Sequence, residues 1–152
     1  MRNPLSLFVT VIYGVMDART GIFTFCSGGH VMPYVLRAGG IVEAVTGRAA
    51  PLVGLIEEAE YPELTVALQP GDGLLLVTDG VAECFNRAGE AFGEARLIEV
   101  LASAHPVALD RLLDSLVAEL DRFSDGIPAS DDVTALVVRF LGQPSAGRVA
   151  VP

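Results

Sequence analysis

Hydrophobic positions along this chain change period once, near the middle. Over residues 5–16 both alternating sets are largely apolar, Val9, Val11, Tyr13 and Val15 on one and Phe8 and Ile12 on the other. That pattern predicts a strand buried largely on both faces. Shorter segments at 22–27, 33–37 and 41–45 read as further strands. Asp17-Ala18-Arg19-Thr20-Gly21 separates the first two strands and Ala38-Gly39-Gly40 the last two, both turn compositions of hairpin length. This half therefore reads as a β-meander. After a loop marked by Gly47, Pro51 and Gly54, residues 63–68 alternate as a half-buried strand does. Gln69-Pro70-Gly71-Asp72-Gly73 is a strong turn signal, and Leu74-Leu75-Leu76-Val77 is a wholly apolar run suited to a central strand.

Beyond the Asn86-Arg87-Ala88-Gly89 turn the period lengthens. Residues 94–104 place Leu97, Ile98 and Leu101 on one helical face. A second helix is expected to start near Pro106 and run to Phe123, with Leu109, Leu112, Leu113, Leu116 and Leu120 in its stripe and Asp110, Arg111, Asp114 and Glu119 opposite. The Leu stripe reads as core. Gly126 and Pro128 end the helix, residues 133–140 form a last apolar strand, and residues 141–152 read as a loose tail. Several strands, two helices and a closing strand predict an α+β sandwich in one domain at 5–140, with no internal repeat.

Composition narrows the function classes. Half of the 152 residues are apolar (51%), enough for a sizeable core. The net charge is −9, and the Arg residues are scattered, which argues against nucleic-acid binding. Cys26 and Cys84 form neither a CxxC pair nor a zinc spacing, and read as reduced thiols in a cytoplasmic protein. Residues 5–15 are too short to span a bilayer and contain Ser6, Thr10, Tyr13 and Gly14. A strand is therefore preferred there over a signal peptide, and no membrane association is expected.

Two motifs carry candidate chemistry. In Val77-Thr78-Asp79-Gly80-Val81 an aspartate ends the central strand, and in Ser130-Asp131-Asp132-Val133-Thr134 two aspartates open the last one. Carboxylates at strand ends suit Mg²⁺ or Mn²⁺, which take oxygen ligands. Each motif alone is equally ordinary turn or loop chemistry. Their joint occurrence at the ends of apolar strands brings a metal site level with that reading.

The order F-V-T-x-x-Y-G-V-x-D (8–17), G-G-H-x-x-P (28–33), P-L-x-G-L (51–55), L-x-P-G-D (68–72), T-D-G-V-x-E (78–83), G-E-x-F-G-E-x-R-L (89–97) and S-D-D-V-T (130–134) resembles the SpoIIE-type branch of the metal-dependent serine/threonine protein phosphatases (PPM, type 2C-like). The resemblance covers nearly all of residues 5–140. It implies two β-sheets stacked between helices and a two-metal Mn²⁺ or Mg²⁺ centre that activates a water. The implied substrate is a phosphoserine or phosphothreonine protein, such as an anti-sigma-factor antagonist in bacterial signalling. By resemblance Asp79 and Asp131 ligate the same ion. Asp132, Gly80 and Glu83 lie beside them, with Asp132 the less favoured direct ligand.

The resemblance also implies an upstream G-D strand motif and a D-x-x-G motif supplying a bridging aspartate, and nothing in residues 1–152 plays that part. Asp72 and Asp17 both fall in turns. The expectation is therefore weak or absent activity for the chain alone, with a homo-oligomer or a complementing chain as a partner. The alternative is a non-catalytic signalling module on the same fold. His30 reads as a turn residue tying its loop by a hydrogen bond, and Arg48 as an exposed loop residue.

Overall fold

The structure, a computed structural model, describes residues 7–48, 50–104 and 109–143. Residues 5 and 6 of the expected first strand, the helix start at Pro106, His105 and residues 144–152 of the expected tail lie outside them.

Strands β1 (Val11–Asp17) and β2 (Ile22–Gly28) pair as an antiparallel hairpin. The Gly21 N–H donates to the Asp17 carbonyl at 2.8 Å, and Asp17 Oδ1 accepts the Arg19 N–H at 2.8 Å. Gly21 has φ +75°, and a Cβ there would stand 2.4 Å from the Leu68 carbonyl oxygen. The turn therefore needs glycine at this position.

The meander expectation fails after β2. On its other side β2 pairs with β5 (Leu64–Ala67), so the first sheet runs β1-β2-β5. Strands β3 (Tyr34–Leu36), β4 (Val42–Ala44), β6 (Gly73–Val77) and β7 (Ala135–Arg139) make a second sheet, ordered β4-β3-β6-β7. The chain leaves the first sheet at Gly28-Gly29-His30. There Gly29 has φ +69°, and Ser27 Oγ accepts the His30 N–H at 3.2 Å and donates to the His30 carbonyl at 3.0 Å. A closed turn thus replaces a hairpin between β2 and β3.

The period-2 alternation of β3 and β6 organises the layers. Val35 and Leu74 face the first sheet, packing with Phe23, Phe25, Val66, Leu68 and Phe140. Tyr34, Leu36, Leu75 and Val77 face the other way, against Leu97 and Leu101 of α1 (Gly93–Ala104) and Leu112, Leu116 and Leu120 of α2 (Leu109–Ser124). At β3 and β6 the second sheet is a middle layer covered on both faces, which explains the apolar run at 74–77. The result is an α+β stack of helices, sheet and sheet.

The first strand departs from expectation. Ile12 and Met16 turn toward the core between the sheets, while Val11, Tyr13 and Val15 are exposed, Tyr13 at 69% and Val15 at 59%. Apolar character on both sets of positions did not mean burial on both faces, because β1 ends its sheet and only one face meets the second sheet.

Candidate metal-binding site

The two acidic motifs meet because β6 and β7 are antiparallel neighbours. Their pairing runs from Gly73↔Arg139 to Val77↔Ala135, so the residues after β6 lie beside those before β7. The Thr78 N–H extends the ladder by donating to the Thr134 carbonyl at 3.0 Å. Thr78 is extended (φ −81°, ψ 162°), and the chain then turns through one turn of 3₁₀ helix, Asp79–Val81. That turn is anchored by Val81, which is fully buried against the helices.

Gly80 sets the spacing between the two segments. A Cβ on it would stand 2.6 Å from the Asp132 carbonyl oxygen and 3.2 Å from that of Asp131. Only a residue without a side chain lets the backbones approach this closely.

The structure puts Asp79, Asp131 and Asp132 at one end of the β6–β7 pair, all three exposed. Asp79 Oδ1 accepts the Gly80 N–H at 3.1 Å and Asp131 Oδ1 accepts the Asp132 N–H at 2.7 Å. The ion pairs among the described residues lie elsewhere, so no arginine there neutralises these three carboxylates. Hard, anionic oxygen donors with no cation partner fit Mg²⁺ or Mn²⁺ in chemistry. They fall short in number: the described residues contain no group of three or more His, Cys, Asp or Glu side chains placed to hold a metal.

The other residues singled out in the sequence sort themselves by contact. Glu83 is exposed and takes part through its backbone, its N–H donating to the Asp79 carbonyl at 2.8 Å. Asp72 is 2% exposed and belongs to the fold. Its carboxylate accepts the Ala38 and Gln69 N–H groups and an Arg37 Nη1–H, each at 2.9 Å. Burial alone would raise its pKa, but these donors outweigh burial and hold it below the usual carboxylate value. His30 meets Thr10 Oγ1 through Nδ1 at 3.3 Å. Cys26 and Cys84 are free thiols, and burial, then the nearby Asp121 charge, pushes Cys84 upward.

Two residues of the motifs went unassigned from sequence, Thr78 and Ser130. Thr78 Oγ1 donates to the Asp132 carbonyl at 2.7 Å and accepts the Thr134 N–H at 2.9 Å. Ser130 Oγ donates to the Glu83 carbonyl at 3.0 Å. The available signal was a hydroxyl residue next to each acidic motif, but its partners lie across the strand pair.

The family profile described as Stage II sporulation protein E (SpoIIE) matches residues 1–141. Protein IcfG of Synechocystis sp. is 30% identical over 136 residues, covering 90% of this chain and 21% of that protein. The phosphoserine phosphatase RsbU of Bacillus subtilis is 26% identical over 145 residues, covering 88% of this chain and 39% of that protein. The chain thus spans well under half the length of these curated relatives. Among solved structures, the RsbU and RsbW domains of Rv1364c from Mycobacterium tuberculosis superimpose with a TM-score of 0.73 at 30% identity, over 93% of this chain and 39% of that one. With one profile spanning nearly every described element, and this two-sheet architecture shared by a relative of equal identity, the chain belongs to the SpoIIE-type family of metal-dependent (PPM, type 2C-like) serine/threonine phosphatase domains.

Proposed function

We propose that this chain is the part of a phosphoserine/phosphothreonine protein phosphatase domain that supplies Asp79 and Asp131 to one Mn²⁺ or Mg²⁺ ion of a two-metal centre. The supporting observation is the meeting of T-D-G and S-D-D at one end of β6 and β7, with exposed carboxylates that have no cation partner among the described residues. Asp79 and Asp131 would hold the ion, and Asp132, whose carboxylate has no hydrogen bond among the described residues, stands beside them as the less favoured ligand. A bound divalent ion supplies an acidified water as nucleophile and offsets charge on the phosphoryl oxygens. The protein's own part is to orient the carboxylates, and the Gly80 and Asp132 N–H groups do so by holding one oxygen of Asp79 and of Asp131. The substrate class follows RsbU, a phosphoserine phosphatase, and the family resemblance of the sequence motifs extends this to an anti-sigma-factor antagonist phosphoprotein in the cytoplasm.

The shortage of ligands favours a second reading, in which the chain is a signalling module that binds a partner without catalysis. Calorimetric Mn²⁺ titration of residues 1–152 separates the two. Under the phosphatase reading the wild type binds Mn²⁺ weakly, and Asp79→Ala and Asp131→Ala each abolish that binding. Variants that bind as the wild type does would sink the assignment. Phosphopeptide hydrolysis by this chain alone is expected to stay at background, and strong Mn²⁺-dependent turnover would overturn that expectation.

A further inference from the structure

We propose that Thr78 and Ser130 are positioning residues, whose hydroxyls lock the Asp131 loop onto the Asp79 turn so that both carboxylates address one ion. The inference rests on the metal assignment above and concerns how this chain builds that site.

The hydrogen bonds close a ring through the two motifs. The Asp79 carbonyl accepts the Glu83 N–H at 2.8 Å, and the Glu83 carbonyl accepts the Ser130 hydroxyl at 3.0 Å. Asp131 follows Ser130 in the chain, and its Oδ1 accepts the Asp132 N–H at 2.7 Å. The Asp132 carbonyl accepts the Thr78 hydroxyl at 2.7 Å, and Thr78 leads covalently back to Asp79. Both aspartates therefore sit on one closed circuit. Thr78 fixes the carbonyl on one side of Asp132, and the N–H on the other side of the same residue fixes the Asp131 carboxylate.

Residues 130–134 are all exposed, so no apolar side chain anchors them in the core. The strand ladder proper stops at Val77↔Ala135, before either aspartate. Past that point the backbone bond from Thr78 to Thr134 and the two hydroxyls are the polar ties between the segments. Thr78 Oγ1 acts as donor and acceptor at once, which valine, its isostere and a better strand former, cannot do. Threonine here thus ties both the Thr134 N–H and the Asp132 carbonyl, which join the Asp79 turn to the Asp131 loop. Partners bonded directly to metal ligands typically change metal affinity by about 10–100-fold when removed, and these hydroxyls act one step further out, through the backbone, so the lower end of that range is expected.

The test is Mn²⁺ affinity and metal-free melting temperature for residues 1–152 as wild type, Thr78→Val, Thr78→Ser and Ser130→Ala. Thr78→Val is expected to weaken Mn²⁺ binding by about tenfold or more, and Ser130→Ala to weaken it in the same direction. Thr78→Ser should restore wild-type affinity, because the hydroxyl returns without the methyl. Metal-free melting temperatures should stay close to that of the wild type. If Thr78→Val and Ser130→Ala bind Mn²⁺ like the wild type while Asp79→Ala does not bind, the positioning role is overturned and the metal site stands. If the wild type itself binds no Mn²⁺, the metal assignment falls and this role falls with it. Should Thr78→Val fail to fold, Ser130→Ala still decides, since Ser130 lies on the exposed loop outside the ladder.

Discussion

At the scale of single residues, two of the acidic positions look alike in sequence and do opposite work. Asp72 and Asp79 both precede glycine at the end of a strand or turn, yet Asp72 is buried with all its donors internal, and Asp79 is exposed with one oxygen committed. The acid response of the fold is assigned to Asp72. Its folded pKa is depressed, so its contribution is fully present above the unfolded value, about 3.9, and is lost as pH falls through the lower folded value. Asp72→Ala removes the acceptor of two backbone N–H groups and one partner of Arg37, which keeps Glu43 and the Ala67 carbonyl. With the Ala38 and Gln69 N–H groups left without that acceptor, the expected cost is about 2–3 kcal/mol at pH 7, and the pH dependence of the melting temperature should flatten below pH 4. Denaturant titrations of both proteins at pH 7 and pH 3 check this, and parallel acid losses in the two would count against the assignment. Gly80→Ala belongs to the same scale. The 2.6 Å approach to the Asp132 carbonyl leaves no room for a methyl. The expected loss is about 1–3 kcal/mol of stability together with Mn²⁺ affinity, read by melting and titration. A variant as stable as the wild type would show that the loop can yield.

At the scale of elements, the helical half was legible and the strand half only partly so. The α2 stripe of Leu112, Leu116 and Leu120 reads directly as core because a surface helix has one apolar face and only one way to turn it. The apolar run at 74–77 likewise reads as a central strand, and β6 lies inside its sheet. Strand adjacency was not written in the local pattern. Whether β2 pairs with β3 or with β5 depends on the turn closed by Ser27 and His30, a feature of three hydrogen-bonding groups and a left-handed glycine. The acidic motifs were visible singly, but their meeting follows from β6 and β7 being neighbours, with the two helices intervening in the chain. The hydroxyl ties of Thr78 and Ser130 depend on that same long-range pairing, so no local reading could assign them. β1 is the reverse case, in which a strong local signal for burial met an end-of-sheet position.

At the scale of the whole molecule, that exposed strand face sets how the chain behaves in solution. β1 ends the first sheet and β7 ends the second, and each shows apolar side chains outward: Val11, Tyr13 and Val15 on one, Leu136 and Val138 on the other. Val9 pairs with Val53, but from Val11 to Met16 there is no charged residue and no proline, so β1 itself lacks the usual guards against pairing with another strand. Opposing this is a net charge of −9, which keeps copies apart at low ionic strength. The two effects respond differently to salt. Raising ionic strength to about 0.1 M shortens the screening length to about 10 Å and weakens the repulsion, while the apolar contact is unaffected or strengthened. Self-association of this chain is therefore expected to increase with salt, the reverse of an interface built on ion pairs. Replacing Tyr13 and Val15 together by lysine should suppress it by charging the exposed face, and should leave the melting temperature unchanged because neither side chain is in the core. Static light scattering across concentration and salt measures both effects. A 16.0 kDa monomer at every condition would show that the exposed face is tolerated as it stands, and association that weakens with salt would place the contact elsewhere on the surface.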